Sequence, residues 1–164
     1  MWLRIGKRGR WKERSAQSPD DVAEASKDLA PREHEDLSVY KVDSLDEATR
    51  VATAHALTQK PGPANIDAVV LPDQALTTAG LEPIPVPMEE LPAYLSDRHY
   101  EIRGLEDPDV QRVVAEAALN LGNVDAQRLP KGTLKEMALN GVLEEEGVKA
   151  AISTKWKEYL DKNQ

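Results

Sequence analysis

The chain has 164 residues, a formal net charge of −8, no cysteine, no phenylalanine and only 4% aromatic residues. Such a length suits one domain burying roughly 70% of its unfolded surface, and the lack of cysteine removes disulfides, thiolate catalysis and cysteine-based metal sites. Although 30% of residues are charged and the mean hydropathy is −0.55, the apolar residues are periodic, as in a folded protein, and no segment is long enough to span a bilayer.

Charge is segregated along the chain. Arg4, Lys7, Arg8, Arg10, Lys12 and Arg14 against Glu13 give +5 over residues 1–14, and the other 15 Lys and Arg against 28 Asp and Glu give −13. The basic start is broken by charge at Arg4 and Lys7, so it lacks the apolar run of a secretion signal, and the default location is cytoplasmic.

Residues 2–5 and 10–12, separated by Gly6-Lys7-Arg8-Gly9, suggest a short β-hairpin held by Trp2 and Trp11, with a free basic arm as the alternative. Ser18-Pro19-Asp20-Asp21 supplies an N-cap, a first-turn proline and acids at the positive helix end, opening a helix to Leu29 that Pro31 stops. Leu37 to Val42 alternates apolar and polar residues like a half-buried strand. Ser44-Leu45-Asp46-Glu47 is a capping box for a helix with Leu45, Ala48, Val51, Ala52 and His55 on its inner face.

Residues 61–92 hold seven of the eleven prolines around one internal strand, Ile66 to Leu71, apolar on both faces. A short helix from Pro72 to Ala79 ends at Gly80. In Leu81-Glu82-Pro83-Ile84-Pro85-Val86-Pro87, prolines at alternate positions strip the donors from one side, which marks an edge strand or a polyproline-like strip. Met88 to about Arg103 reads as largely helical. Pro108 opens an amphipathic helix with Val110, Val113, Val114, Ala117 and Leu121 on one stripe, ended by Gly122. Residues 123–132 mark a sub-boundary, and helices follow at Thr133 to Leu139 and Glu144 to Leu160, the latter with Val148, Ile152, Trp156 and Leu160 at intervals of four.

The expected fold is a small α/β or α+β arrangement. Its sheet has three to five strands including the N-terminal hairpin, flanked by helices, with a helical C-terminal tail. Residues 1–14 form a basic head, 15–122 the α/β core domain and 123–164 a helical extension packed on it.

Three surfaces carry candidate chemistry. The basic head, Arg4, Lys7, Arg8, Arg10, Lys12 and Arg14, is suited to phosphates or an acidic protein, with Trp2 and Trp11 available for stacking or for the core. The strip at Pro83, Pro85 and Pro87 is a preordered docking surface. Ser96 to Glu101 is the densest polar run, in which Arg98, His99 and Glu101 offer an anion clamp and proton transfer, joined by Tyr40 or His55 from elsewhere in the fold. On one helix, however, such neighbours diverge and coat a solvated face.

His34, His55 and His99 are too far apart in sequence for a preorganised zinc site, and no nucleophile elbow, phosphate loop or cofactor motif is present. Thr133 to Val142 has a faint helix-turn-helix look, but Glu144-Glu145-Glu146 would repel DNA phosphates there. The composition, rich in Ala, Asp, Glu and Arg, is of a bacterial kind. The first expectation is therefore a non-catalytic cytoplasmic interaction protein, an adaptor, inhibitor or antitoxin-like partner, binding another protein through the head and the proline strip without metal or cofactor. The alternatives are a nucleic-acid-binding accessory protein using residues 1–14 and a small enzyme around Arg98, His99 and Glu101.

Overall fold

The computed structural model describes residues 1–6, 10–11, 18–31, 36–121 and 124–163. Among them six strands form one sheet: β1 (Trp2–Ile5), β2 (Leu37–Lys41), β3 (Ile66–Leu71), β4 (Ile84–Pro85), β5 (His99–Ile102) and β6 (Asp125–Leu129). Their order is β4-β5-β2-β1-β3-β6, and every neighbouring pair is antiparallel. The fold is α+β, with six strands where three to five were expected.

Helices cover both faces. On one side lie α2 (Leu45–Gln59), α4 (Ala93–Ser96), α6 (Lys131–Leu139), α7 (Val148–Ala151) and α8 (Thr154–Asp161), packed with Leu3, Tyr40, Ile66, Ala68 and Val70 of the sheet. On the other lie α1 (Pro19–Leu29), α3 (Asp73–Thr78) and α5 (Pro108–Leu121), packed on Trp2, Val39, Val69, Leu71 and Ile102. Because β2 and β3 both run antiparallel to β1, they are parallel to each other, and α2 crosses over β1 to join them.

The expected N-terminal hairpin is not formed. β1 lies inside the sheet between β2 and β3, and Trp11 stands outside any strand. Trp2 and Leu3 explain this: they point to opposite faces and are 8% and 0% exposed, which requires cover on both sides that a terminal hairpin lacks. Trp11 packs in the second core, and its indole N–H donates to Asp28 Oδ2 at 3.0 Å.

The unexpected strands have weak sequence signals. Residues 99–102 form β5 instead of continuing a helix, since α4 ends after Ser96 and the strand pairs with β2 through Tyr40↔His99 and Val39↔Tyr100. β6 lies within residues 123–132, where no strand was expected; its Asp-Ala-Gln-Arg-Leu sequence is polar because it is an edge strand held by β3 alone. The C-terminal helix expected from Glu144 to Leu160 is broken at Gly147, which takes φ +79°, and at Ser153, whose amide bonds Leu57 O at 3.0 Å. Two helix faces are also rotated from expectation: Leu45 is 46% exposed and Val113 42%, and α5 buries Gln111, Val114, Ala115 and Ala118.

Other signals match the structure. Ser18 caps α1 in a full capping box with Asp21. Ser44 accepts from the Glu47 amide, while the Glu47 carboxylate turns to the Asp43 amide and to Arg98. Gly80 follows α3 at φ +69°.

Candidate functional site

The proline-rich segment becomes an edge whose two sides differ. Val86 N donates to His99 O at 3.0 Å, and Ile84 and Pro85 stand opposite Glu101 and Tyr100. Amides alternate sides along a strand, so those of Ile84 and Val86 turn toward β5 while positions 83, 85 and 87 face outward. Prolines occupy all three, and the outer edge offers no N–H to another strand. Ile84, Pro85 and Pro87 are exposed, flanked by the exposed acids Glu82, Glu89 and Glu90.

Behind this edge sits a phenol between two imidazoles. The Tyr40 ring meets His55 and His99 edge-on, with centroids 5.8 and 5.7 Å away. Its hydroxyl lies 3.0 Å from His55 Nδ1. His99 Nδ1 lies 2.8 Å from Val86 O; a carbonyl only accepts, so Nδ1 donates. Burial pushes the Tyr40 phenol up to about 12. Burial, followed by the charges of Lys60, Arg4 and His99, pushes His55 down to about 4. Both groups are therefore neutral near pH 7. His55 Nδ1 is the hydroxyl's one partner among the described residues, so the arrangement that leaves no buried hydrogen unpaired has Tyr40 donating and His55 carrying its proton on Nε2.

Beside His55 the sheet splits. The β1–β2 ladder pairs Trp2↔Lys41 and Leu3↔Tyr40 and goes no further, although β1 runs on to Ile5 against Ala68 and β2 starts at Leu37 against Ile102. A cavity of about 260 Å³ opens there, lined by Arg4 and Ile5 of β1, Pro31, Asp36, Leu37 and Ser38 leading into β2, and His55 and Lys60 of α2 and its end. Arg4 bridges the gap, Nη1 donating to Ser38 O at 3.4 Å.

Arg98, His99 and Glu101 are not gathered into one constellation. Arg98 donates from Nε to Glu47 Oε1 at 3.1 Å and from Nη1 to Tyr94 O at 3.0 Å, and its guanidinium lies 4.3 Å over the Tyr94 ring. Burial disfavours the ionised Glu47, but the Asp43 amide and Arg98 outweigh it and hold the carboxyl below its usual range. His99 is committed to Val86. Glu101 follows two residues along β5 on the same strand face, opposite Ser38.

In the head, Arg4 belongs to β1 and Arg10 is half-buried beside Trp11, while Lys7, Arg8, Lys12 and Arg14 lie outside the described residues, as do His34, Gly122 and Asn123. Trp2 and Trp11 are both in the core. Among the described residues no three His, Asp or Glu side chains are grouped to hold a metal, and no helix is long and apolar enough to cross a membrane.

The Tyr40–His55 pair had a sequence signal, since both residues fall on inner faces of consecutive elements. Ser38 and Lys60 had none, because only the opening of the sheet brings them together. No protein family, curated protein or solved structure matches the chain.

Proposed function

We propose that this chain is a non-catalytic interaction protein of the cytoplasm that docks a protein partner on the Pro83–Pro87 edge. The observation that carries this reading is the outward placement of all three prolines. A strand edge without donors cannot recruit a further strand, yet it presents a preordered, low-entropy ridge of Pro85, Ile84 and Pro87. Partners that take such ridges are lined by aromatic rings. The exposed Glu82, Glu89 and Glu90 around the ridge call for a cationic rim on the partner. The basic head then steers approach, acting through charge and without a stacking platform, because its tryptophans are in the core.

A photo-crosslinking residue at position 84, compared with one at Val113, tests the reading. The two positions are similarly exposed, at 37% and 42%. Support is a dominant adduct at 84 that maps to an aromatic-lined groove and disappears when Pro83 and Pro85 are changed to Ser. Equal adducts at both positions, or an adduct indifferent to the prolines, refute it.

A further inference from the structure

We propose that the opening between β1 and β2 binds the phosphate group of a small phosphorylated molecule. Four of the residues that line it carry donors of different kinds: Arg4 a guanidinium, Lys60 an ammonium, Ser38 a hydroxyl and His55 the N–H on its Nε2. Among the described residues that line it, the acid is Asp36, which accepts from Arg103 Nε at 3.3 Å. The donors sit on two strands and the end of a long helix, which hold them in place before any ligand arrives.

Acceptor oxygens and size narrow the ligand class. A phosphate group presents three strong acceptor oxygens, which match the Lys60 ammonium, the Ser38 hydroxyl and the His55 imidazole better than the two oxygens of a carboxylate do. A cavity of about 260 Å³ exceeds what the anion itself fills, and Ile5, Pro31 and Leu37 provide an apolar wall for a short carbon body. No Trp, Tyr or Phe lines it, so it lacks the stacking surface that a nucleotide base would use. Lys60 also lies where it complements the C-terminal carbonyls of α2. That role leaves unexplained both the interrupted ladder and the orientation of the imidazole donor.

The test is an NMR titration of the full ¹⁵N-labelled chain with glycerol 3-phosphate, inorganic phosphate and acetate, repeated on Lys60→Gln and Ser38→Ala. The expected result is saturable shifts at Ile5, Leu37, Ser38 and the His55 ring. Both phosphates should bind roughly tenfold or more tightly than acetate, and each variant should weaken glycerol 3-phosphate about fivefold or more while its remaining spectrum stays native. A glycerol 3-phosphate affinity above that of inorganic phosphate assigns the apolar wall to the carbon body. Absence of saturation, shifts scattered over surface lysines, acetate binding as well as phosphate, or both variants binding like the parent would each overturn the proposal. Since Lys60 makes no hydrogen bond or ion pair among the described residues, its replacement leaves the fold intact for the measurement.

Discussion

Changing His55 to Gln should remove a distinct pH dependence from the stability of the chain. The imidazole titrates near its ordinary 6.5 when unfolded and near 4 when folded, because burial and then the neighbouring cations disfavour the charged ring. Between these values the unfolded chain binds more protons, so stability rises with pH through the window: complete above about pH 6.5, progressively lost toward about pH 4. At 1.36 kcal/mol per pH unit the full span amounts to about 3 kcal/mol, and partial exposure of the ring at the cavity trims it to about 2–3 kcal/mol. Glutamine keeps an acceptor for the Tyr40 hydroxyl but does not titrate. Urea unfolding from about pH 7 to about pH 4, taken as the parent minus the variant, cancels the carboxylates common to both. The difference should shift against the parent by about 2–3 kcal/mol as pH falls. Parallel curves would refute the assignment of a neutral His55 held by Tyr40.

Trp11→Phe removes the indole N–H that Asp28 Oδ2 accepts at 3.0 Å in a buried setting; urea unfolding should show a loss of about 2–4 kcal/mol, the sum of a charge-assisted bond and lost ring contact, and a loss below about 1 kcal/mol would contradict it. Gly147→Ala should cost about 1–3 kcal/mol, since φ is +79° and a Cβ would stand 3.1 Å from Pro92 Cβ and 3.2 Å from Ala93 N, whereas Gly80→Ala, at φ +69° with open space around it, should cost only about 1 kcal/mol by the same thermal or urea measurement. Pro83→Val with Pro85→Val restores two outward N–H groups beside exposed Ile84; sedimentation velocity should then show larger species growing with concentration relative to the parent, and unchanged sedimentation would show that the prolines do not protect the edge.

Much of the framework was legible because local chemistry agrees with tertiary need. The Ser18-Pro19 cap, the alternation at Leu37 to Val42, the doubly apolar Ile66–Leu71 and the proline spacing at 83, 85 and 87 each specify an element independently of its neighbours. What was missed depends on partners far along the chain. Tyr100 and Ile102 favour a strand, but four residues following the polar run Ser96 to Arg98 are too short to stand out from an expected helix; the ladder to β2 decides for β5. β6 is polar and pairs on one side only, so nothing in Asp125 to Leu129 marks it. The position of β1 depends on burial of both its faces, which four residues between charged neighbours do not announce. At the candidate site, the inner faces of Tyr40 and His55 could be read from period and spacing. The cavity could not, since it results from a ladder that stops after Leu3 and Tyr40.

The docking edge and the cavity are joined by a chain of specific contacts, and the chemistry of that chain predicts how little they disturb each other. Val86 on the edge accepts from His99, His99 packs on Tyr40, and Tyr40 donates to His55, which borders the cavity. Contiguity alone transmits nothing; coupling needs an element with two arrangements of similar energy. An alternative here would require His55 to withdraw Nδ1 from a buried hydroxyl, leaving it unpaired at about 1–3 kcal/mol, as large as a typical coupling energy between two sites. An oxyanion accepting from Nε2–H stabilises the tautomer already present and leaves Tyr40 and His99 where they are. Occupancy of the cavity therefore leaves the proline ridge unchanged, and the same phenol–imidazole bond that orients the donor insulates one surface from the other.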